Sequence, residues 1–363
     1  MGVRHLEEAD IPQAADLYWA YLRNGKGSAP PEVWDSFREL YFSNPLVDSG
    51  FPSLVYEDNR GKIVGFLGVI GRNLSIGGRS IRSAFGGNLV VHPQARSSFA
   101  AARLLDVYTK GPYDILQADS ANNNGRRLLD RLGFRTIPAL NIHWVRPLRP
   151  TRYAVYYGSR AAGPLASTLR VVASPFCAVA DAVAANFPRS LFRFQPSNLQ
   201  ASELDLDMHL RCMADFRKGY SMWAEYDTVS LKWLLDYMER TPKRGQLRKI
   251  FLRNEAQKIV GYYVYYVQPG GVGEVIQIGG EPQYTKQILD HLMFDAWERG
   301  VAALHGVVDL RRIADFSDKG CFFTCRGGWA LAYSRNPELL QVLERGDAFL
   351  TRLDGEWCLH PAL

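Results

Sequence analysis

Along the first 148 residues the spacing of apolar side chains switches repeatedly between the two-residue period of a strand and the longer period of a helix. VRHLEE predicts a short strand, 11–23 a helix with Pro12 in its first turn, and 31–42 a second helix. Apolar strands follow at 53–57 and 63–70, joined through Asp58-Asn59-Arg60-Gly61, a hairpin turn sequence, and a third at 80–91 is entered through Gly77-Gly78. Leu89-Val90-Val91 suits a buried strand that His92-Pro93 stops, after which 97–108 takes helical spacing. Later strands are expected at 114–119 and 134–145. A helix that starts directly after a strand presents unpaired N–H groups and the positive end of its dipole. With Arg96 alongside, this turn is a candidate seat for a pyrophosphate.

The pattern then recurs. A helix is expected at 231–240, strands at 249–253 and 259–267 joined by the polar NEAQK turn, and a further strand at 275–278. An amphipathic helix at 284–299, a strand at 302–308, a helix at 310–319 and a late strand region at 321–332 complete the order. KIVGFLGVI and KIVGYYVYY share a Lys-Ile-Val-Gly entry into the third strand of each half, which together with the element order points to a tandem duplication. The chain therefore divides into 1–148, a linker at 149–199 and 200–363. The linker is rich in Pro and Ala. Its apolar stretch at 165–187 carries Arg170, Asp181 and Pro175, which fits an amphipathic helix packed between domains, or alternatively one on a membrane surface, and not a membrane span.

Composition adds limits. With 47% apolar and 22% charged residues the chain is globular, and 363 residues suffice for two domains. A net charge of +6 suits a polyanion, an acidic membrane surface or a phosphorylated cofactor, but no dense Lys/Arg run marks a nucleic-acid site. Five irregularly spaced cysteines read as reduced core thiols, and Cys321 and Cys325 lack the second pair that a zinc site needs, so no metal is expected. Acidic residues follow Met1-Gly2-Val3-Arg4-His5 where a signal peptide would be apolar, so a cytoplasmic protein is expected.

The segment FGGNLVVHPQARSSFAAARLLDVYTKGPYDILQADSANNNGRRLLDRLGF resembles the acyl-CoA-dependent N-acyltransferases of the GNAT superfamily. Val91, Pro93, Arg96, Asn122 and Leu132-Gly133-Phe134 stand at positions matching that family's strand end, phosphate turn, Asn-led helix and closing Leu-Gly-Phe. Ser97, Phe99 and Ala101 occupy places where the family prefers Gly, Gly and Gly or Ala, and Leu129 stands where a Tyr often protonates the departing thiolate. The resemblance implies an α/β (α+β) chain of two GNAT-like domains, each a mixed, mostly antiparallel sheet flanked by helices. It also implies acyl-CoA, acetyl or longer, as co-substrate. Leu89, Val90 and Val91 would grip its pantetheine arm, Arg96, Ser97, Ser98, Phe99, Ala100 and Ala101 its pyrophosphate, with Asn122 nearby. If that turn is intact, the Phe99 ring is expected to point into the core.

Acyl transfer needs an unprotonated amine, donors for the oxyanion and a proton for the leaving thiolate. Candidate catalytic carboxylates are Asp119, which follows the DILQA strand at a position that also suits a helix cap, and Glu274, at the head of a strand of the second half. His305 and Asp309 are alternatives of the same kind. In the second half Gly279-Gly280-Glu281 replaces the phosphate turn, and Glu281 would repel an anion. The aromatic strand YYVYYV suits core packing or a platform for a sugar or acyl chain. These readings converge on N-acyl transfer from acyl-CoA to an amine of a small molecule or sugar. The alternatives are a Fem-type peptidyltransferase using aminoacyl-tRNA, and a non-catalytic GNAT-like binding protein.

Overall fold

The computed structural model describes residues 2–47, 50–159, 166–187, 190–325 and 328–359, without the side chains of Arg96, Ser97, 166–174 and Pro242. Two compact units form. The first comprises Met1–Asn141, Gly219–Met238 and Gly327–Leu363, the second Ile142–Lys218 and Glu239–Arg326. They interleave along the chain and so differ from the consecutive division expected from the repeat.

The sheet of the first unit contains β1 (Gly2–His5), β2 (Leu54–Glu57), β3 (Ile63–Ile76), β4 (Arg79–Val91), β5 (Ile115–Ala121) and β6 (Arg135–Thr136). That of the second contains β7 (His143–Pro147), β8 (Gln200–Glu203), β10 (Gln246–Arg253), β11 (Ile259–Val267), β12 (Val272–Gly280), β13 (Ala303–Val307) and β14 (Phe322–Thr324). β9 (Met222–Ala224), β15 (Trp329–Tyr333) and β16 (Ala348–Phe349) return to the first. Neighbours run β1-β2-β3-β4-β5-β15-β6 in one sheet and, read from its far edge, β8-β10-β11-β12-β13-β7-β14 in the other. The correspondence includes direction. β4–β5 and β12–β13 pair in parallel, and the other neighbours in these two series pair antiparallel. At the sixth place the halves trade strands: β7 closes the first half of the chain yet pairs with β13 and β14, while β15 pairs with β5 and β6.

In the first unit α3 (Ala100–Thr109) covers one face of the sheet, its Leu104, Leu105 and Tyr108 packing with Leu67, Ala84 and Leu116. The preceding helices, α1 (Ile11–Leu22) and α2 (Pro31–Arg38), bring Tyr18 and Phe37 against Tyr41 and Phe66. α4 (Asn123–Arg131) and the short α5 (Pro138–Asn141) follow β5 and β6. Pro138, which has no N–H for a ladder, splits the strand expected at 134–145.

The second unit has α6 (Pro150–Ser159), α7 (Ala166–Asn186), α8 (Leu206–Phe216), α10 (Thr285–Glu298) and α11 (Ile313–Asp318), whereas α9 (Thr228–Glu239) and α12 (Pro337–Glu344) belong mainly to the first. Every residue from Tyr262 to Tyr266 is buried because both faces of β11 are covered. Tyr262 packs edge-on to His209 of α8, while Tyr263 bonds His291 at 2.9 Å and Tyr265 donates to Asp295 at 2.6 Å on α10. The aromatic strand is thus core. Cys321 is buried as expected, but Cys325 is exposed.

Candidate functional site

β4 and β5 hold register only from Ser83/Ile115 to Phe85/Gln117. Beyond that point β4 continues to Val91 paired with β3, and β5 continues to Ala121 paired on its other edge with β15, so the two parallel strands form no further pair among the described residues. The β3–β4 ladder is irregular at the same level. Phe66 faces Val90 and Gly68 faces Gly87, which leaves Leu67 opposite both Asn88 and Leu89. This is a β-bulge, and Asn88 takes it at a φ of 54°. Its side chain donates to the Tyr41 hydroxyl at 2.9 Å, and a Cβ on Gly68 would lie 2.5 Å from that oxygen. Glycine is required there for Tyr41 to reach the bulge.

The chain's last described segment reaches these strands. Thr351 and Asp354 bond each other's backbone at its start, and the following turn brings in Glu356. Asp354 accepts from the Tyr226 hydroxyl at 2.9 Å, and that hydroxyl also takes a bond from the buried Arg72 guanidinium. Glu356 is bonded by the Ser120 hydroxyl of β5, and its other oxygen lies 2.3 Å from where a Cβ on Gly87 would be. Asp119 accepts from the Trp357 amide at 3.4 Å. Gly355 passes so close to Asp119 Oδ2 that a Cβ would stand 1.6 Å away.

Two glycines therefore make room for two carboxylates. Asp119 Oδ1 and Glu356 Oε2 are buried and receive no bond from a donor group among the described residues, and the two carboxyls bond each other. Burial, then the neighbouring Asp119 charge, pushes the Glu356 carboxyl well above its ordinary range, and burial raises Asp119 too, with the Trp357 amide and Arg352 opposing. Such a pair holds a proton at neutral pH.

Asp119 therefore does not cap α4. Asn122 does, its Oδ1 accepting from the amides of Asn124 at 3.0 Å and Gly125 at 2.9 Å. Of the other predicted positions, Val90 is buried, and Leu89 and Val91 are half-buried beyond the end of the parallel ladder. Pro93–Ser98 forms a tight helical turn in which Ser98 bonds the Ala95 carbonyl at 2.6 Å. The Arg96 and Ser97 side chains lie outside the described residues. Phe99 precedes α3 at a φ of 56°, in the left-handed region that favours glycine, with 72% of its surface exposed. The inward ring is thus overturned: a left-handed residue at a helix start aims its side chain away from the sheet. Ala100 is buried, Ala101 partly so, and Leu129 belongs to the core.

The second unit carries a similar parting. β12 and β13 hold register from Val272/Ala303 to Glu274/His305, and a bulge leaves Ile276 unmatched against β11. Glu274 meets His305 Nδ1 at 3.0 Å, and the His143 ring stacks on His305 at 5.2 Å. Glu274 is thus paired and half-buried, and it sits in a different unit from Asp119. Gly279 and Gly280 are needed for packing, since Cβ atoms there would meet Tyr262 and Ile288 at 2.3 Å, and Glu281 pairs with Lys258 at 2.5 Å. Asp309 caps the turn after β13, accepting from the Arg311 amide at 3.0 Å. Sequence reasoning missed Glu356, Tyr41 and the Asn88 bulge. Glu356 lies 236 positions from Ser120, and no local pattern announces it.

No family profile matches the sequence, and no curated protein matches it. Solved structures do. A GCN5-related N-acetyltransferase from Anabaena variabilis ATCC 29413 aligns with a TM-score of 0.59 at 11% identity, over 92% of this chain and 73% of that one. A probable N-acyltransferase from Enterococcus faecalis V583 aligns at 0.58 and 11%, over 92% and 71%. Saccharomyces cerevisiae N-myristoyltransferase with bound myristoyl-CoA and inhibitors aligns at 0.51 and 10%, over 92% and 79%. The chain shares the fold of these N-acetyltransferase and N-acyltransferase structures.

Proposed function

We propose that the protein transfers an acyl group from an acyl-CoA to an amine of a small molecule or sugar, at the strand split of the first unit. The observation that carries this reading is the end of the β4–β5 ladder at Phe85/Gln117, beside a bulge and a buried carboxylate pair. Past the ladder's end, the β5-facing edge of Leu89–Val91 offers backbone groups that an amide-bearing arm can pair with as a short strand. The turn carrying Arg96, Ser97, Ser98, Phe99, Ala100 and Ala101 would face the pyrophosphate, with the α3 amides as donors and Asn122 at the far wall. The exposed Phe99 ring leaves backbone approach open there.

An acyl-CoA supplies the activated thioester. This chain's own residues orient the acceptor and move its proton. At neutral pH the pair holds one proton, on Glu356; Asp119, the ionised member, takes the proton that the attacking amine loses, and Glu356, held by Ser120, gives its proton to the departing thiolate. Tyr41, its ionisation suppressed by burial, stays a neutral hydroxyl at the bulge and donates to a developing oxyanion. Glu274 is placed outside this step and serves its own unit, paired with His305. The consecutive segments 1–148 and 200–363 are proposed as the duplicated copies, with 149–199 between them.

Calorimetric titration of the full chain with acetyl-CoA and a long-chain acyl-CoA tests the reading. Saturable binding of either is expected, and binding of neither overturns it. A binding-only site is the second reading, favoured by Phe99 at a turn where bulk is unusual. It predicts acyl-CoA affinity without turnover on any amine.

A further inference from the structure

The solvent-facing side of α7 has the composition of a core. Phe176, Val179, Val183 and Phe187 follow one another at spacings of three, four and four residues, with exposures of 76%, 67%, 56% and 65%. They form one stripe along the helix. From Pro175 to Phe187 the only exposed polar side chain is Asn186. The one charge in that stretch, Asp181, is turned inward to the start of α6, where it accepts from the Thr151 amide at 2.8 Å and its hydroxyl at 2.5 Å. Leaving such a stripe in water forgoes the free energy that burial of large apolar side chains provides.

The charge of the surrounding sequence is equally one-sided. Residues 142–200 contain seven Arg, one Asp and no Lys or Glu, a formal +6 that equals the net charge of all 363 residues. The rest of the chain is neutral overall. Among them Arg193 is exposed, and Arg152 lies beside α7 with Asp181 as its neighbour at 3.9 Å. Guanidinium groups match phosphate oxygens in pairs, and an apolar helical stripe in a basic segment fits the boundary between lipid headgroups and acyl chains. No helix among the described residues is long and apolar enough to cross a membrane, and Pro175 and Asp181 keep α7 from being one.

We propose that α7 docks the protein on an anionic bilayer surface, lying in its plane with Phe176, Val179, Val183 and Phe187 in the acyl boundary and Arg152 and Arg193 toward headgroup phosphates. A second copy of the chain is the poorer occupant, because it would bring two +6 segments face to face. An acidic protein would need polar partners for specificity, and the stripe presents none but Asn186. The proposal stands apart from the acyl-transfer reading, and its test uses no acyl-CoA.

The full chain is sedimented with vesicles of pure phosphatidylcholine and of phosphatidylcholine mixed with phosphatidylglycerol. Binding to the anionic vesicles is expected, falling as salt is raised. Phe176→Ser with Phe187→Ser should lower that binding about tenfold or more at unchanged melting temperature, since neither ring is buried. The proposal is overturned if the wild-type chain ignores anionic vesicles, or if the double variant binds them as well as wild type. A wild-type dimer that the variant dissolves, with neither protein sedimenting with vesicles, also overturns it and assigns the stripe to self-association.

Discussion

Single residues carry the chemistry proposed for the strand split, and two of them can be tested on stability as well as activity. Because the Glu356 carboxyl is raised in the fold, the folded state binds its proton more tightly than the unfolded chain does. The stability this provides is complete below the unfolded value near 4.5 and is lost as pH rises toward the folded one. Glu356→Gln should therefore flatten the fall in melting temperature on the alkaline side. It should also lower kcat by about 10²–10⁴-fold, because the amide cannot protonate the departing thiolate. A variant that keeps full turnover removes Glu356 from the mechanism. Phe99→Gly is expected to leave stability unchanged or raise it by about 1 kcal/mol, because glycine takes the left-handed conformation without the cost a bulky side chain bears. A loss of several kcal/mol in a denaturant titration would mean the ring is packed after all. Asp119 was visible in the sequence as an acid after a strand. Its partner was not, because nothing local distinguishes Glu356 from any other acid near the chain end.

Elements were more legible than their edges. Periodicity located the helices at 11–23 and 284–299 and the strand at 259–267 to within a few residues, since each buries a face whose spacing is set by backbone geometry. The bulge escaped because an unmatched residue is a property of two strands together, and the sequence of β4 alone does not state its register. Asn88→Gly should preserve the bulge and lose only the Tyr41 bond. Asn88→Val, β-branched at a positive φ, should cost roughly 2 kcal/mol and weaken acyl-CoA binding by displacing Leu89–Val91. Equal stability and affinity in the two variants would show that the bulge is not what shapes the split. On α8, His209 is fully buried beside Gln277 at 2.8 Å, and burial pulls its pKa down to about 4. The unfolded chain then binds the proton that the fold refuses, so stability is full above about 6.5 and falls as pH drops toward 4. His209→Gln should remove a fall on the order of 3 kcal/mol from that window in pH-dependent chemical denaturation.

At the scale of the whole chain, the repeated element order and the Lys-Ile-Val-Gly entry were legible in the sequence, but the exchange of strands was not. Local sequence sets whether a segment is a strand, whereas which sheet receives it depends on partners far along the chain. β7 closes the first half, β15 lies late in the second, and each supplies the sixth place of the other half's sheet. β15 pairs Leu331 with both Ala118 of β5 and Thr136 of β6, and β7 pairs Val145 with both His305 of β13 and Phe322 of β14. Removing either strand leaves two partners with unpaired edges, a template for aggregation. A fragment of residues 1–148 therefore keeps β7 with nothing to pair to and lacks β15, while 200–363 has the opposite defect. Each fragment expressed alone should be insoluble or lack a cooperative melting transition, and their co-expression should restore a soluble complex with one. Two fragments that each fold alone, with sharp transitions of their own, would mean that the exchanged strands are dispensable and that each half closes its sheet unaided.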